Sequence, residues 1–184
     1  FTHLDTDHMN GAETLFARVR VGTVVLPPET DQPENEALVL ALAAEQGSRV
    51  VYLTEEQTAA LGRAELTLLP PVGTGGNNGG LSVLCSVGEF DFLMTGDMDA
   101  GTEAALAGRY QLQNIEVLVA GHHGSKYSSG EALLAAAGPE TAIISVGENR
   151  YGHPGVQTLG RIGAAGAVCW RTDENGTVTV RVTG

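Results

Sequence analysis

His3-Leu4-Asp5-Thr6-Asp7-His8 places four potential metal ligands within six residues. In an extended chain, residues two apart share a face, so His3 and Asp5 can reach one ion. A bend after Asp5 turns Asp7 and His8 toward a second. Neutral imidazole and carboxylate are common ligands of first-row divalent metals. The structural alternative is a polar turn that happens to hold two histidines and two aspartates. Asn10-Gly11 follows, and a helix-like run starts near Ala12.

Outward from this stretch, strand-like and helix-like runs alternate. Val21 to Leu26 reads as a strand, Glu34 to Glu45 as an Ala- and Leu-rich helix, and Arg49 to Leu53 as a strand. Thr54 is placed to cap a helix through Leu61, with Glu55 and Glu56 in its first turn and Gly62 as its stop. Ala64 to Leu69 is a strand ended by Pro70-Pro71. The five glycines around Asn77-Asn78 make Val72 to Gly80 a loop. Leu81 to Ser86 and Phe90 to Met94 form a hairpin about Val87-Gly88-Glu89. Ala100 to Tyr110 is a helix, with Asp99 as the candidate cap. Ile115 to Ala120 is the near-continuous apolar strand of a sheet covered on both faces. Gly130 to Ala137 and Val156 to Ala165 read as helices and Thr141 to Val146 as a strand. Val168 to Arg171, a turn at Asp173-Glu174-Asn175-Gly176, and Thr177 to Val182 read as a closing hairpin. The pattern is α/β in one domain over residues 1–184, layered helix–sheet–sheet–helix or part of that.

Three further polar groups follow strands: Thr95-Gly96-Asp97, Gly121-His122-His123-Gly124-Ser125 and Tyr151-Gly152-His153-Pro154. Loops at the carboxyl ends of strands are where open α/β sheets build ligand sites. Each group alone has a structural reading, as a turn, a cap or a core histidine. Converging, His3, Asp5, Asp7, His8, Asp97 and one of His122 and His123 supply two metals, with Asp97 as the candidate bridge.

Composition bounds the rest. Hydrophobic residues are 42% and charged residues 17%, which fits a globular chain. No apolar run is long enough to span a membrane. Cys85 and Cys169 lie in apolar stretches and read as buried core residues. The net charge of −12 has the wrong sign for a general polyanion binder. Either carboxylates are neutralised by cations they hold, or the substrate is small. The chain opens at Phe1 without an initiator methionine and so reads as a piece of a longer protein.

His3-Leu4-Asp5-Thr6-Asp7-His8 resembles the His-x-Asp-x-Asp-His variant of the metallo-β-lactamase signature. It is combined with Leu93-Met94-Thr95-Gly96-Asp97, His122-His123-Gly124-Ser125-Lys126, Ser145-Val146-Gly147, Tyr151-Gly152-His153-Pro154 and Arg171-Thr172-Asp173-Glu174-Asn175-Gly176. That set is similar to the carboxy-terminal domain of the ComEC competence proteins. Phosphorylcholine esterases share part of it.

The resemblance implies an αββα sandwich lacking its first strands here, two divalent ions (Mn²⁺ or Zn²⁺) and phosphodiester hydrolysis. By resemblance His3 and Asp5 hold one ion, Asp7, His8 and His123 the other, and Asp97 bridges. Asp7 and His122 are then catalytic, and Ser125, Lys126 and His153 bind substrate. The implied activity is a nuclease on single-stranded DNA during DNA uptake. It implies a place on the extracytoplasmic face of a bacterial membrane, tethered to a channel domain. A small-molecule phosphodiesterase and a noncatalytic DNA-binding module are the competing classes. The sequence departs from the wider superfamily between Leu69 and Leu84, where Asn77 and Asn78 stand and no histidine is found. One ion is therefore expected to have fewer protein ligands than usual.

Overall fold

A computed structural model describes residues 1–183. The candidate ligand stretch bends where the sequence reading expects it: Asp5 is extended and helix α1 (Thr6–Met9) starts after it, followed by α2 (Ala12–Arg18). Strand β1 (Thr23–Leu26) leads to α3 (Pro33–Gln46), which has proline in its first turn and Gly47 at φ +68° as its left-handed stop. Strand β2 (Arg49–Tyr52) returns parallel to β1, and the two form a small separate sheet. Leu4, Met9, Phe16, Leu26 and Val39 make its core.

The larger sheet has seven strands in sequence order: β3 (Gln57–Leu61), β4 (Ala64–Leu69), β5 (Ser82–Val87), β6 (Phe90–Met94), β7 (Val117–Val119), β8 (Thr141–Ile144) and β9 (Val168–Arg171). The first four pair antiparallel and the last four parallel. The three parallel crossovers run through α4 (Ala100–Arg109), α5 (Glu131–Ala137) and α6 (Val156–Ala164). Crossovers of one hand put all three helices on one face. There Leu106, Leu133, Leu134 and Ile162 bury against Leu93, Leu118 and Ile144. Asp99 caps α4 by accepting from Thr102 N–H at 2.9 Å. The chain ends in the short α7 (Thr172–Asn175) and an extended segment.

Two expected elements are replaced. Residues 57–61 are strand β3, not a helix. Leu61 pairs with Ala64 across a two-residue turn in which Gly62 has φ +64°, so turn chemistry and pairing to β4 override helix propensity. The expected closing hairpin is absent. Asn175 Oδ1 accepts from Arg171 N–H while residues 172–175 make a helical turn. The segment 177–183 has no strand pairing; its Val178, Val180 and Val182 instead share a cavity with Phe90, Phe92 and Met94 of the sheet. The two cysteines are free and half-buried rather than fully buried, and Cys169 packs against the edge of the main core. No helix among the described residues is long and apolar enough to cross a membrane.

Candidate metal centre

The topology puts the carboxyl ends of β6, β7 and β8 side by side, because all three run parallel. Their following loops carry Asp97, His122-His123 and His153. The amino-terminal stretch joins them from the side. Phe1 N donates to Val25 O at 3.1 Å, Leu81 N–H donates to Thr2 O at 2.7 Å, and Thr2 packs on Gly96. His3 is thereby held beside the Asp97 loop.

Four histidine Nε2 atoms surround one oxygen of Asp97. The distances to Oδ2 are 3.8 Å from His3, 3.3 Å from His8, 3.7 Å from His122 and 3.8 Å from His123. Asp97 is only 5% exposed. Burial alone would raise its pKa, yet the His8 hydrogen bond and the charges of His8, His122 and His3 hold it below the usual carboxylate range. For His8 burial is opposed and outweighed by Asp97, and its pKa is raised. His3 is lowered by burial and by repulsion from His8. His153 is likewise lowered, by burial and then by His122 and His123.

Two subsets have ligand atoms within 4.8 Å of one another: His3, His8 and Asp97, and Asp7, His8 and His123. The donor set fits divalent cations. His3 Nε2 is buried and has no hydrogen-bond partner, a cost that a ligand bond removes. His123 Nδ1 donates to Ser145 O at 2.8 Å. A carbonyl only accepts, so this contact leaves the His123 Nε2 lone pair facing inward, the usual outer support of a metal-binding imidazole. Asp5 Oδ2 lies 3.9 Å from His3 Nε2 and belongs to neither subset. His122 also stands outside both, with its ring 5.5 Å from that of His153.

Ser125 is 2% exposed; its hydroxyl accepts from Tyr127 N–H. Lys126 is exposed beside it. Asn78 points away from the centre: its side chain holds Asp99 through Asp99 N–H and Oδ2.

Sequence reasoning missed how the histidine loop is held. His122, His123 and Ser129 all have φ near +51°, a region that costs non-glycine residues on the order of 1 kcal/mol each. Glu103, fully buried on α4, compensates by accepting from Ser129 N–H at 2.9 Å and Gly130 N–H at 2.7 Å. Arg161 of α6 donates to the carbonyls of Lys126, Ser128 and Ser129. The signal was present: Glu103 sits one turn before Leu106 and Ala107 on the apolar stripe of a helix, where a carboxylate needs partners.

Comparison with known proteins gives the family. The model of the metallo-beta-lactamase superfamily matches residues 1–148. The chain belongs to that superfamily. Among curated relatives, ComE operon protein 3 of Bacillus subtilis is 31% identical over 184 residues, covering 98% of this chain and 24% of that protein. Competence protein ComA of Neisseria gonorrhoeae is 44% identical over 87 residues, covering 46% of the chain and 12% of the relative. The chain thus spans about a quarter or less of these relatives, which bear out the ComEC-type resemblance of this metallo-β-lactamase domain. The solved structure of CmlA, titled a diiron beta-hydroxylase from Streptomyces venezuelae, superposes with a TM-score of 0.62 at 14% identity, covering 94% of this chain and 42% of CmlA. That likeness concerns the fold alone.

Proposed function

We propose that this metallo-β-lactamase domain is a two-metal phosphodiester hydrolase acting on single-stranded DNA, in a larger protein that takes up DNA. The observation that carries the hydrolase reading is the convergence of four histidine Nε2 atoms on one Asp97 oxygen. The competence relatives supply the choice of substrate. His3 and Asp5 would hold one ion and Asp7 and His123 the other, with Asp97 shared and His8 within reach of both. Bound divalent ions supply a water of lowered pKa and neutralise charge on the phosphate.

The chain's own residues do the rest. Ser145 O fixes the ring of His123. His122, outside both ligand subsets, protonates the leaving oxygen. Lys126 and His153 bind nonbridging phosphate oxygens, and Ser125 shapes the loop that presents Lys126. Carboxylates committed to metal do not repel DNA, but most of the negative charge remains, so affinity without metal is low.

Cleavage of a labelled single-stranded oligonucleotide in added Mn²⁺ or Zn²⁺ tests this. Activity abolished by chelator and by Asp7→Ala is expected. Metal-loaded protein that cleaves neither DNA nor a small chromogenic diester would overturn it.

A further inference from the structure

Beside the metal centre two tyrosines stand in water. Tyr151 is 84% exposed and Tyr127 66%. Neither contributes to a core, and the turn carrying Tyr151 is braced. Asn149 Oδ1 accepts from both Tyr151 N–H and His153 N–H, and Asn149 Nδ2 donates to Gly147 O and His153 O. The Tyr151 ring stacks on His153 at 26° with centroids 6.0 Å apart. With most of its surface exposed, its remaining face is free.

Placement gives these rings a use. A cavity of about 610 Å³ is lined by Tyr127, Tyr151, Lys126 and His122. An adjoining cavity of about 380 Å³ is lined by Tyr151 together with Asp7 and His123. Tyr151 and His153 line both, so Tyr151 stands where a chain crossing the metal centre passes from one cavity to the other. Lys126 is the only lysine in the sequence, and its Nζ lies 4.8 Å from the centre of the Tyr127 ring. A chain of net charge −12 gains little from general electrostatic attraction to a polyanion. Aromatic faces offer an attraction that does not depend on charge, and every nucleobase has a face to stack.

We propose that Tyr151 and Tyr127 form a base-stacking platform that selects single-stranded nucleic acid, with Lys126 on a backbone phosphate between the stacked bases. The proposal rests on the phosphodiester-hydrolase reading for the reaction but concerns binding. Bases in a duplex are already stacked and cannot reach the rings, so the platform discriminates against double strands.

The test is fluorescence anisotropy with the full chain, using an end-labelled thymidine octamer and an abasic octamer of equal length and charge. Wild type should bind the base-bearing strand roughly tenfold tighter. Tyr151→Ala should remove most of that difference, the Tyr127→Ala/Tyr151→Ala pair all of it, and Tyr151→Phe should keep it. Equal affinity for the two strands, no binding of either, a preference for duplex, or a base preference surviving the double variant would each overturn the platform. Cleavage assayed in parallel separates the two readings. Base-selective binding without hydrolysis in any metal leaves the platform standing and removes the hydrolase. Hydrolysis of both strands with equal KM does the reverse.

Discussion

The Nε2 atoms of His8 and His123 face each other at 3.2 Å although 115 residues separate them in the chain. At this distance a neutral His8 Nε2–H can donate to the inward-facing Nε2 lone pair of His123, and a cation bound between the two nitrogens would take the place of that proton. His8 also belongs to both ligand subsets, whereas His3 and His123 belong to one each. His8→Ala should therefore lower bound metal more than His3→Ala or His123→Ala. Metal content after dialysis, measured by mass spectrometry beside a circular dichroism check of folding, decides it. Equal losses from all three variants would contradict the shared role.

Metal preference follows from Asp5. It lies 3.9 Å from His3 Nε2, and a carboxylate here is a harder donor than imidazole. Mn²⁺ should support activity in the wild type, and Asp5→His should lower the ratio of Mn²⁺- to Zn²⁺-supported cleavage by roughly tenfold. Reconstitution of metal-free protein with single metals measures the ratio. A strict Zn²⁺ requirement in the wild type would contradict the assignment.

Glu103 gives a pH signature. Removing it in Glu103→Ala orphans the buried N–H groups of Ser129 and Gly130 and should cost on the order of 2 kcal/mol. Burial pushes the Glu103 carboxyl above its ordinary value, against the pull of the Gly130 and Ser129 N–H groups and of Arg161. The folded chain therefore binds this proton more tightly than the unfolded chain. The associated stability is full below the unfolded carboxylate pKa and is lost as pH rises through the raised folded one. The stability gap between wild type and Glu103→Ala should narrow as pH rises from about 4. Urea unfolding at several pH values reads this, and a gap that widens would contradict it.

The parallel half of the fold was legible because each buried strand ends in a polar loop: Leu93-Met94 before Asp97, Leu118-Val119 before His122 and Ile143-Ile144 before His153. Strand β3 was not, because all five of its residues are exposed and carry no alternation. Only Gly62 marked its turn, and a glycine there stops a helix as well as it turns a hairpin. The terminal valines alternate as a strand should, but the sheet face that receives them is assembled from residues about ninety positions away. The ligand candidates at the metal centre were readable as residue types after strands. Which of the paired histidines faces Asp7 was not, since that depends on the left-handed backbone of His122 and His123 and on the Ser145 carbonyl.

Gly124 joins the two histidine loops, and its replacement tests how rigidly they are joined. It follows His123 at φ +79°, and its carbonyl accepts from Gly155 N–H at 2.8 Å. A Cβ there would stand 2.7 Å from Pro154 Cβ and 3.1 Å from Ile144 Cγ2. Gly124→Ala thus adds backbone strain to a clash with a proline ring that cannot rotate away, together about 2–5 kcal/mol. Gly138 has φ +57° but nothing within 4 Å, so Gly138→Ala carries the strain alone, about 1 kcal/mol. Thermal unfolding should separate the two variants by roughly 2–16 °C. Relief of the clash moves Pro154 or the His122-His123 turn, so Gly124→Ala should also bind less metal than Gly138→Ala. Equal melting temperatures would mean that the His153-Pro154 loop yields freely and does not fix the position of His123.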